Sequence, residues 1–135
     1  MRRLVPIVLC FALACGSDSA PTQPTTASLV GTWSLQNING VVLPVTLSQT
    51  ATSKTEMLSD IVTATAAGTY TAVSQLRTTV NGQVALSSES DAGTYTVTGN
   101  VVVIHSNDGS VINGTIVGDT FSVAAGGVAY WFKKQ

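Results

Sequence analysis

The sequence contains few of the residues on which most catalytic and metal sites depend. Only 10% of its 135 residues are charged, His105 is the single histidine, and the two cysteines are Cys10 and Cys15. One histidine and two cysteines provide too few ligands for a zinc site, and with Cys15 expected to be lipidated they offer no basis for a Cys/His pair or a Ser/His/Asp triad. We therefore expect no metal, no cofactor and no enzymatic activity.

Positive charge is also scarce. The chain has six basic and seven acidic residues, and two of the basic ones, Arg2 and Arg3, stand at its start. Without residues 1–14 the balance is 4 − 7 = −3. No basic patch remains, so nucleic-acid binding is not expected. Four carboxylates are expected to be solvated surface charges: Glu56, Asp60, Glu89 and Asp91.

No hydrophobic run is long enough to form a membrane-spanning helix. The longest apolar run, Leu4 to Leu13, has about half of the roughly twenty residues that a span requires. Behind Arg2 and Arg3 it instead has the form of a secretory signal segment. Cys10 would leave with that segment, and Cys15 would then have no partner for a disulfide.

The four residues that end this segment, Ala12-Leu13-Ala14-Cys15, resemble the lipobox of bacterial lipoproteins. The resemblance implies that residues 1–14 are removed and that Cys15 becomes a lipidated first residue, which anchors the protein in a membrane of the bacterial cell envelope. Gly16 stands where an aspartate would favour inner-membrane retention, so we expect the outer membrane. An ordinary secretory signal with an incidental cysteine is the alternative.

Residues 15–28 are rich in Ser, Thr and Pro, and they are typical of a flexible tether. Residues 29–135 form the domain. Their short alternating segments, with turn residues roughly every eight to twelve positions, indicate an all-β protein. We predict an antiparallel up-and-down meander of about 8–10 short strands that closes into a barrel, because closure removes exposed strand edges. The predicted strands are 30–37, 41–45, 58–65, 69–79, 83–90, 94–98, 101–106, 110–117, 120–125 and 128–133, and residues 46–57 are expected to form a loop.

Turn length fixes which residues share a face of the sheet. Two-residue turns are predicted at Gly99-Asn100, Gly118-Asp119 and Gly126-Gly127, and three-residue loops at 38–40, 66–68, 80–82 and 107–109. This register places Leu76 opposite Leu86 and Leu35 opposite Leu43. It also requires a bulge or bend within residues 90–93, where the alternation changes phase.

Gly31-Thr32-Trp33, at the start of the first strand, resembles the G-x-W signature of the lipocalins. The resemblance implies an up-and-down barrel with Gly31 and Trp33 at its base and a small apolar ligand inside. Lipocalins usually place a late arginine against that tryptophan, whereas the last strand here offers only Lys133 and Lys134.

Small and hydroxyl residues on the predicted inner face favour a cavity, although a flattened barrel could also pack solid. The candidate cavity residues are Tyr70, Ala72, Ser74, Leu76, Leu86, Ser88 and Tyr95. We predict a non-catalytic envelope lipoprotein that binds a small apolar or amphipathic ligand. The alternative is a solid barrel that contacts another envelope protein.

Replacing Cys15 with Ser tests the predicted anchor. Without the sulfur that carries the lipid, the protein should move from the membrane fraction to the soluble fraction after cell disruption, because stable anchoring depends on the acyl chains. Immunoblotting of both fractions measures this. Membrane association that survives Cys15→Ser would contradict the lipobox interpretation, and Ser17→Ala serves as the neighbouring control.

Overall fold

The computed structural model describes residues 26–135, which contain ten β-strands and, within that range, no helix long and apolar enough to cross a membrane. The predicted signal segment, Cys15 and most of the tether lie outside the described residues. The strands are β1 (Gly31–Ile38), β2 (Val41–Val42), β3 (Val45–Gln49), β4 (Ser53–Ala64), β5 (Thr69–Val80), β6 (Gln83–Thr98), β7 (Val101–Ser106), β8 (Val111–Val117), β9 (Thr120–Ala125) and β10 (Val128–Lys134).

Eight of these strands close into an antiparallel barrel. Around the barrel they follow the order β1, β10, β9, β8, β7, β6, β5 and β4, and β4 pairs back with β1. The closing seam pairs Gly31 with Ala64 and Ser34 with Ile61. The short strands β2 and β3 pair with β1 and β4 outside the barrel. The predicted meander and its closure are confirmed.

The two ends of the barrel differ in how they are filled. At the closed end Leu29, Trp33 and Phe121 are buried, with exposures of 1%, 0% and 1%. The turns at this end are 66–68, 99–100 and 118–119, and the turns at the opposite end, the mouth, are 39–40, 107–109 and 126–127. The core is therefore concentrated at the end where the described chain enters the barrel.

The register of the second half of the chain agrees with the prediction. Tyr95 lies opposite Ile104, and Ile104 lies opposite Ile112. Phe121 has Ile116 and Phe132 as its neighbours on the two adjacent strands. One apolar face therefore continues from β6 to β10 and forms the inside of the barrel.

Two turns in the first half are shorter than predicted. Residues 38–40 and 80–82 were expected to form three-residue loops, but Ile38 pairs with Val41 and Val80 pairs with Gln83. Each turn therefore has only Asn and Gly at its centre. At Asn81 and Gly82 φ is 48° and 79°, which matches the type I′ turn that suits the twist of a hairpin. Asparagine tolerates this left-handed conformation better than most residues.

The shorter turn at 81–82 reverses the two faces of β6 in its first half. Leu76 lies opposite Ser87 instead of Leu86, and a shift of one residue exchanges the inner and outer faces of a strand. The bulge predicted at 90–93 is absent, since β6 pairs with β5 continuously from Gln83 to Thr94. The alternation of β6 seemed to change phase only because the loop at 80–82 was predicted to be one residue too long.

The predicted loop at 46–57 is also wrong, because β3 and the first half of β4 form a hairpin there. The segment is rich in threonine and serine, and threonine suits an extended strand. The first half of β4 also pairs with the second half of β5, which pairs with the first half of β6. Together with β3 these segments form a four-stranded sheet that projects past the barrel. From Gln83 to Ala92, β6 has β5 as its only paired neighbour.

Replacing Gly93 with Ala should destabilise the barrel by more than about 3 kcal/mol. A Cβ at this position would overlap with the carbonyl oxygen of His105 and lie 3.0 Å from Ser106 Cα, and backbone atoms have little freedom to move away. A glycine in a strand often marks such a close approach of two backbones. Urea unfolding of the full chain, followed by tryptophan fluorescence, measures the change.

Gly118→Ala is the matched control for this substitution. Gly118 has a φ of 60° and no atom near the added methyl group, so only the left-handed backbone opposes alanine, at about 1–2 kcal/mol. If Gly93→Ala proved no more destabilising than Gly118→Ala, the close approach of β6 and β7 would be wrong.

Candidate functional site

A cavity of about 290 Å³ occupies the mouth half of the barrel. Its inner part is apolar, with Val62, Ile104, Phe121 and Phe132 at the floor. Its other lining residues are Asp60, Tyr70, Ala72, Ser74, Glu89, Ser90, Asp91, Ile112, Val123, Ala125 and Tyr130. The cavity therefore combines an apolar floor with one polar wall.

Trp33 seals the barrel below this floor. Its indole Nε1–H donates to the carbonyl oxygen of Leu29 at 2.7 Å, which satisfies the only polar group of a fully buried ring. Phe121 meets the indole edge to face, with ring centroids 5.8 Å apart, a geometry that aromatic pairs favour. The ammonium of Lys134 lies 5.4 Å from the ring centroid, within the range of a cation–π contact. Lys134 thus takes the position against Trp33 in which lipocalins usually have an arginine.

Strands β4, β5 and β6 form the polar wall. Asp60, Ser74 and Glu89 are cross-strand neighbours, and they form the row of lining residues nearest the mouth. In the next row towards the floor, Ala72 lies opposite Asp91. Ser74 and Ala72 are on β5, between β4 and β6. Because their side chains are small, the space between the carboxylates of β4 and β6 stays open.

Asp91 is held by two hydroxyl groups. Tyr70 donates to one carboxylate oxygen and Ser106 to the other, each at 2.5 Å. Burial, together with the hydrogen bond to Asp91, raises the pKa of Tyr70 to about 12. Tyr70 therefore remains a neutral donor at physiological pH, and the orientation of Asp91 is fixed from two sides.

Asp60 is less well satisfied. Its Oδ1 atom is buried and has no hydrogen-bond partner among the described residues. Burial raises the pKa of Asp60, the negative charge of Asp91 adds to this effect, and the Ser74 hydroxyl opposes it. A carboxylate in such a position is held in a less favourable environment than water provides.

Comparison with known protein families identifies the domain. A family model described as a lipocalin-like domain matches residues 29–123, which is most of the chain. The chain belongs to the lipocalin-like family. No curated protein and no solved structure matches it significantly. The matched region includes β1 to β8 and part of β9, and β10 completes the lipocalin-like barrel.

The lipocalin-like cavity includes three of the seven residues expected to line it. Tyr70, Ala72 and Ser74 lie on its wall. Leu76 is buried outside the lining, and Tyr95 is buried at the closed end, where its hydroxyl donates to the Thr65 carbonyl at 2.6 Å. Gly31 and Trp33 lie at the barrel base as expected.

Leu86 and Ser88 do not belong to the cavity, and their expected positions are wrong. Leu86 is 71% exposed, and Ser88 accepts a hydrogen bond from Gln75 on the outer face. Because the turn at 81–82 has two residues, Glu89 and Asp91 take the inner positions instead. These two carboxylates were expected on the outer face, and the Asn81-Gly82 pair was the signal that would have placed them on the inner face, where both are exposed at the mouth. Asp60 was also expected on the surface, but it lies opposite Ser74 on the inner face, in the register that the 66–68 loop predicts.

Glu56 is also not the solvated charge that was expected. Lys54 and Arg77 contact its carboxylate at 2.6 Å and 2.8 Å, and these hydrogen bonds lower the pKa of Glu56. This cluster lies away from the cavity lining.

The titratable side chains that line the lipocalin-like cavity are carboxylates and tyrosines. Among residues 26–135 no three His, Cys, Asp or Glu side chains converge as metal ligands would. His105 is exposed and is not part of the cavity wall. The cavity therefore offers hydrogen-bond acceptors, negative charge and apolar surface.

Asp60→Asn should raise the free energy of unfolding at neutral pH. Because the pKa of Asp60 is raised in the folded state, the folded protein binds this proton more tightly than the unfolded chain does. The contribution of Asp60 to stability is therefore greatest below pH 3.8 and falls as pH rises through the folded-state pKa. Asparagine removes the ionisation, and its advantage over the parent protein should disappear in acid.

Thermal unfolding of both proteins across this pH range measures the effect. Asp119→Asn is the matched control, because Asp119 is exposed at the closed end beside Lys133. An Asp60→Asn variant that is less stable than the parent at neutral pH would show that the carboxylate is not strained.

Proposed function

We propose that this protein is a lipid-anchored binding protein of the bacterial cell envelope, which holds a small apolar or amphipathic molecule without catalysing a reaction. The observation that carries this proposal is the cavity of about 290 Å³. It opens at one end of the barrel and rests on a sealed apolar floor. Membership of the lipocalin-like family supports a small ligand.

The size and lining of the cavity are consistent with such a ligand. Binding sites for small molecules usually occupy about 300–1,000 Å³ and combine apolar walls with a few convergent polar groups. This cavity is at the lower limit of that range. The alternative of a solid barrel, which acts only through an envelope protein partner, is less well supported because the interior is not filled.

The anchor and the cavity are compatible in their arrangement. The described chain enters the barrel at the closed end, where Leu29 and Trp33 are buried. The mouth is at the opposite end from this entry point. A lipid on Cys15, followed by the tether, would therefore attach to the end of the barrel that a ligand does not use.

Ser74→Leu and Ala72→Leu should abolish ligand binding by filling the space beside the carboxylates. Native mass spectrometry of the full chain, purified from a bacterial envelope, should show an added mass that is lost on denaturation. Both variants should lose this mass, which corresponds to an affinity at least about tenfold weaker.

Ser88→Leu is the matched control, because it makes the same side-chain change on the outer face of β6. It should retain the added mass. Loss of the mass in Ser88→Leu to the same extent as in Ser74→Leu would contradict the cavity as the binding site. A parent protein that carries no added mass, and binds none from an extract of envelope small molecules, would overturn the proposed function.

A further inference from the structure

The described side chains that line the cavity carry negative charge and no positive charge. Asp60, Glu89 and Asp91 are part of its lining, whereas no lysine, arginine or histidine is. Glu89 and Asp91 are exposed at the mouth, and Asp60 is partly buried below it. The three carboxylates therefore lie on one wall of the cavity, and two of them are exposed at its entrance.

The basic residues of the described chain are all engaged elsewhere on the barrel. Lys54 and Arg77 both contact Glu56. Lys133 is 3.8 Å from Asp119, and Lys134 lies over Trp33 at the closed end. None of the three ion pairs found within residues 26–135 includes a cavity carboxylate. The charge in the cavity is therefore not balanced by the side chains of the described protein.

The hydrogen bonds of the cavity distinguish its carboxylates. Asp91 has two hydroxyl donors, Tyr70 and Ser106, and is held in place. The buried Oδ1 atom of Asp60 has no hydrogen-bond partner among residues 26–135, and the negative charge of Asp91 acts on Asp60 unfavourably. A positive charge placed in the cavity beside Ser74 would favour the ionised form of Asp60 and offset the repulsion from Asp91.

We propose that the ligand of this cavity is a small organic cation, an amine with an apolar body. This inference rests on the proposed function and specifies its ligand. The ammonium group lies in the row formed by Asp60, Ser74 and Glu89, and the apolar body extends towards Phe121 and Phe132. An ammonium has three donors and no acceptor, which matches a wall whose strongest groups are acceptors.

An organic cation fits this arrangement better than a metal ion. Asp60 and Glu89 are on strands separated by β5, so their backbones are about 10 Å apart, two interstrand spacings. A metal requires several ligands within about 2–2.6 Å, and no such group converges within residues 26–135. The apolar floor would also contribute nothing to the binding of a bare ion.

Three probes with the same alkyl chain and different end groups test the inference: 1-octylamine, 1-octanol and octanoate. Isothermal titration calorimetry with the purified full chain at neutral pH measures their affinities. The amine should bind at least about tenfold more tightly than the alcohol, and octanoate should bind most weakly. Added salt should reduce the preference for the amine, because part of the wall is exposed to solvent.

Glu89→Gln and Asp60→Asn should each reduce the affinity for the amine about three- to tenfold and reduce the affinity for the uncharged alcohol by less. Asp119→Asn, which removes a carboxylate far from the cavity, should change neither affinity. Two variants are used because Asp60→Asn also affects stability, whereas Glu89 is exposed at the mouth and its substitution should leave folding intact.

The outcomes separate this inference from the function on which it rests. Equal binding of all three probes would overturn the preference for a cation while leaving a binding cavity. A preference for the amine that persists in both Glu89→Gln and Asp60→Asn would also overturn it, since the carboxylates would not be its cause. If none of the probes bound, and the protein carried no other small molecule, both proposals would fail.

Discussion

The interior of this protein depends on the pairing of β1 with β4. Without the seam from Gly31–Ala64 to Ser34–Ile61, the strands would form a long open sheet with two exposed edges. The seam includes Trp33, which pairs with Val62, and the ring of Trp33 fills the closed end and packs against Phe121. Backbone closure and aromatic packing therefore act at the same place, and together they give the cavity a floor.

The polar wall depends on a second constraint, the length of one turn. Asn81 and Gly82 both have positive φ, so the β5–β6 hairpin turns in two residues. A third turn residue would direct Leu86 inwards and Glu89 outwards. The charge of the cavity is therefore set by a local backbone conformation at the far end of a sheet that projects beyond the barrel.

The carboxylates of the wall combine rigidity with an unfavourable environment. Tyr70 and Ser106 hold Asp91 in one orientation, whereas a buried oxygen of Asp60 has no partner in the part of the chain that the structure describes. Sites that bind ligands often retain such unfavourable groups at some loss of stability. The base of the barrel stabilises the fold and so offsets this loss, because the Trp33 ring is fully buried there and its N–H group is hydrogen-bonded.

The sequence by itself determined the all-β class, the meander, the buried Trp33 and the register from Tyr95 onwards, because alternation and turn residues are local properties of the chain. It did not determine the inner face of β6. Val84 and Leu86 gave the apolar pattern of an inner face, but they lie on the outer face of a segment that only β5 pairs. The tertiary structure decided the depth of the cavity, the burial of Asp60 and its approach to Asp91, because these depend on how distant strands meet after closure.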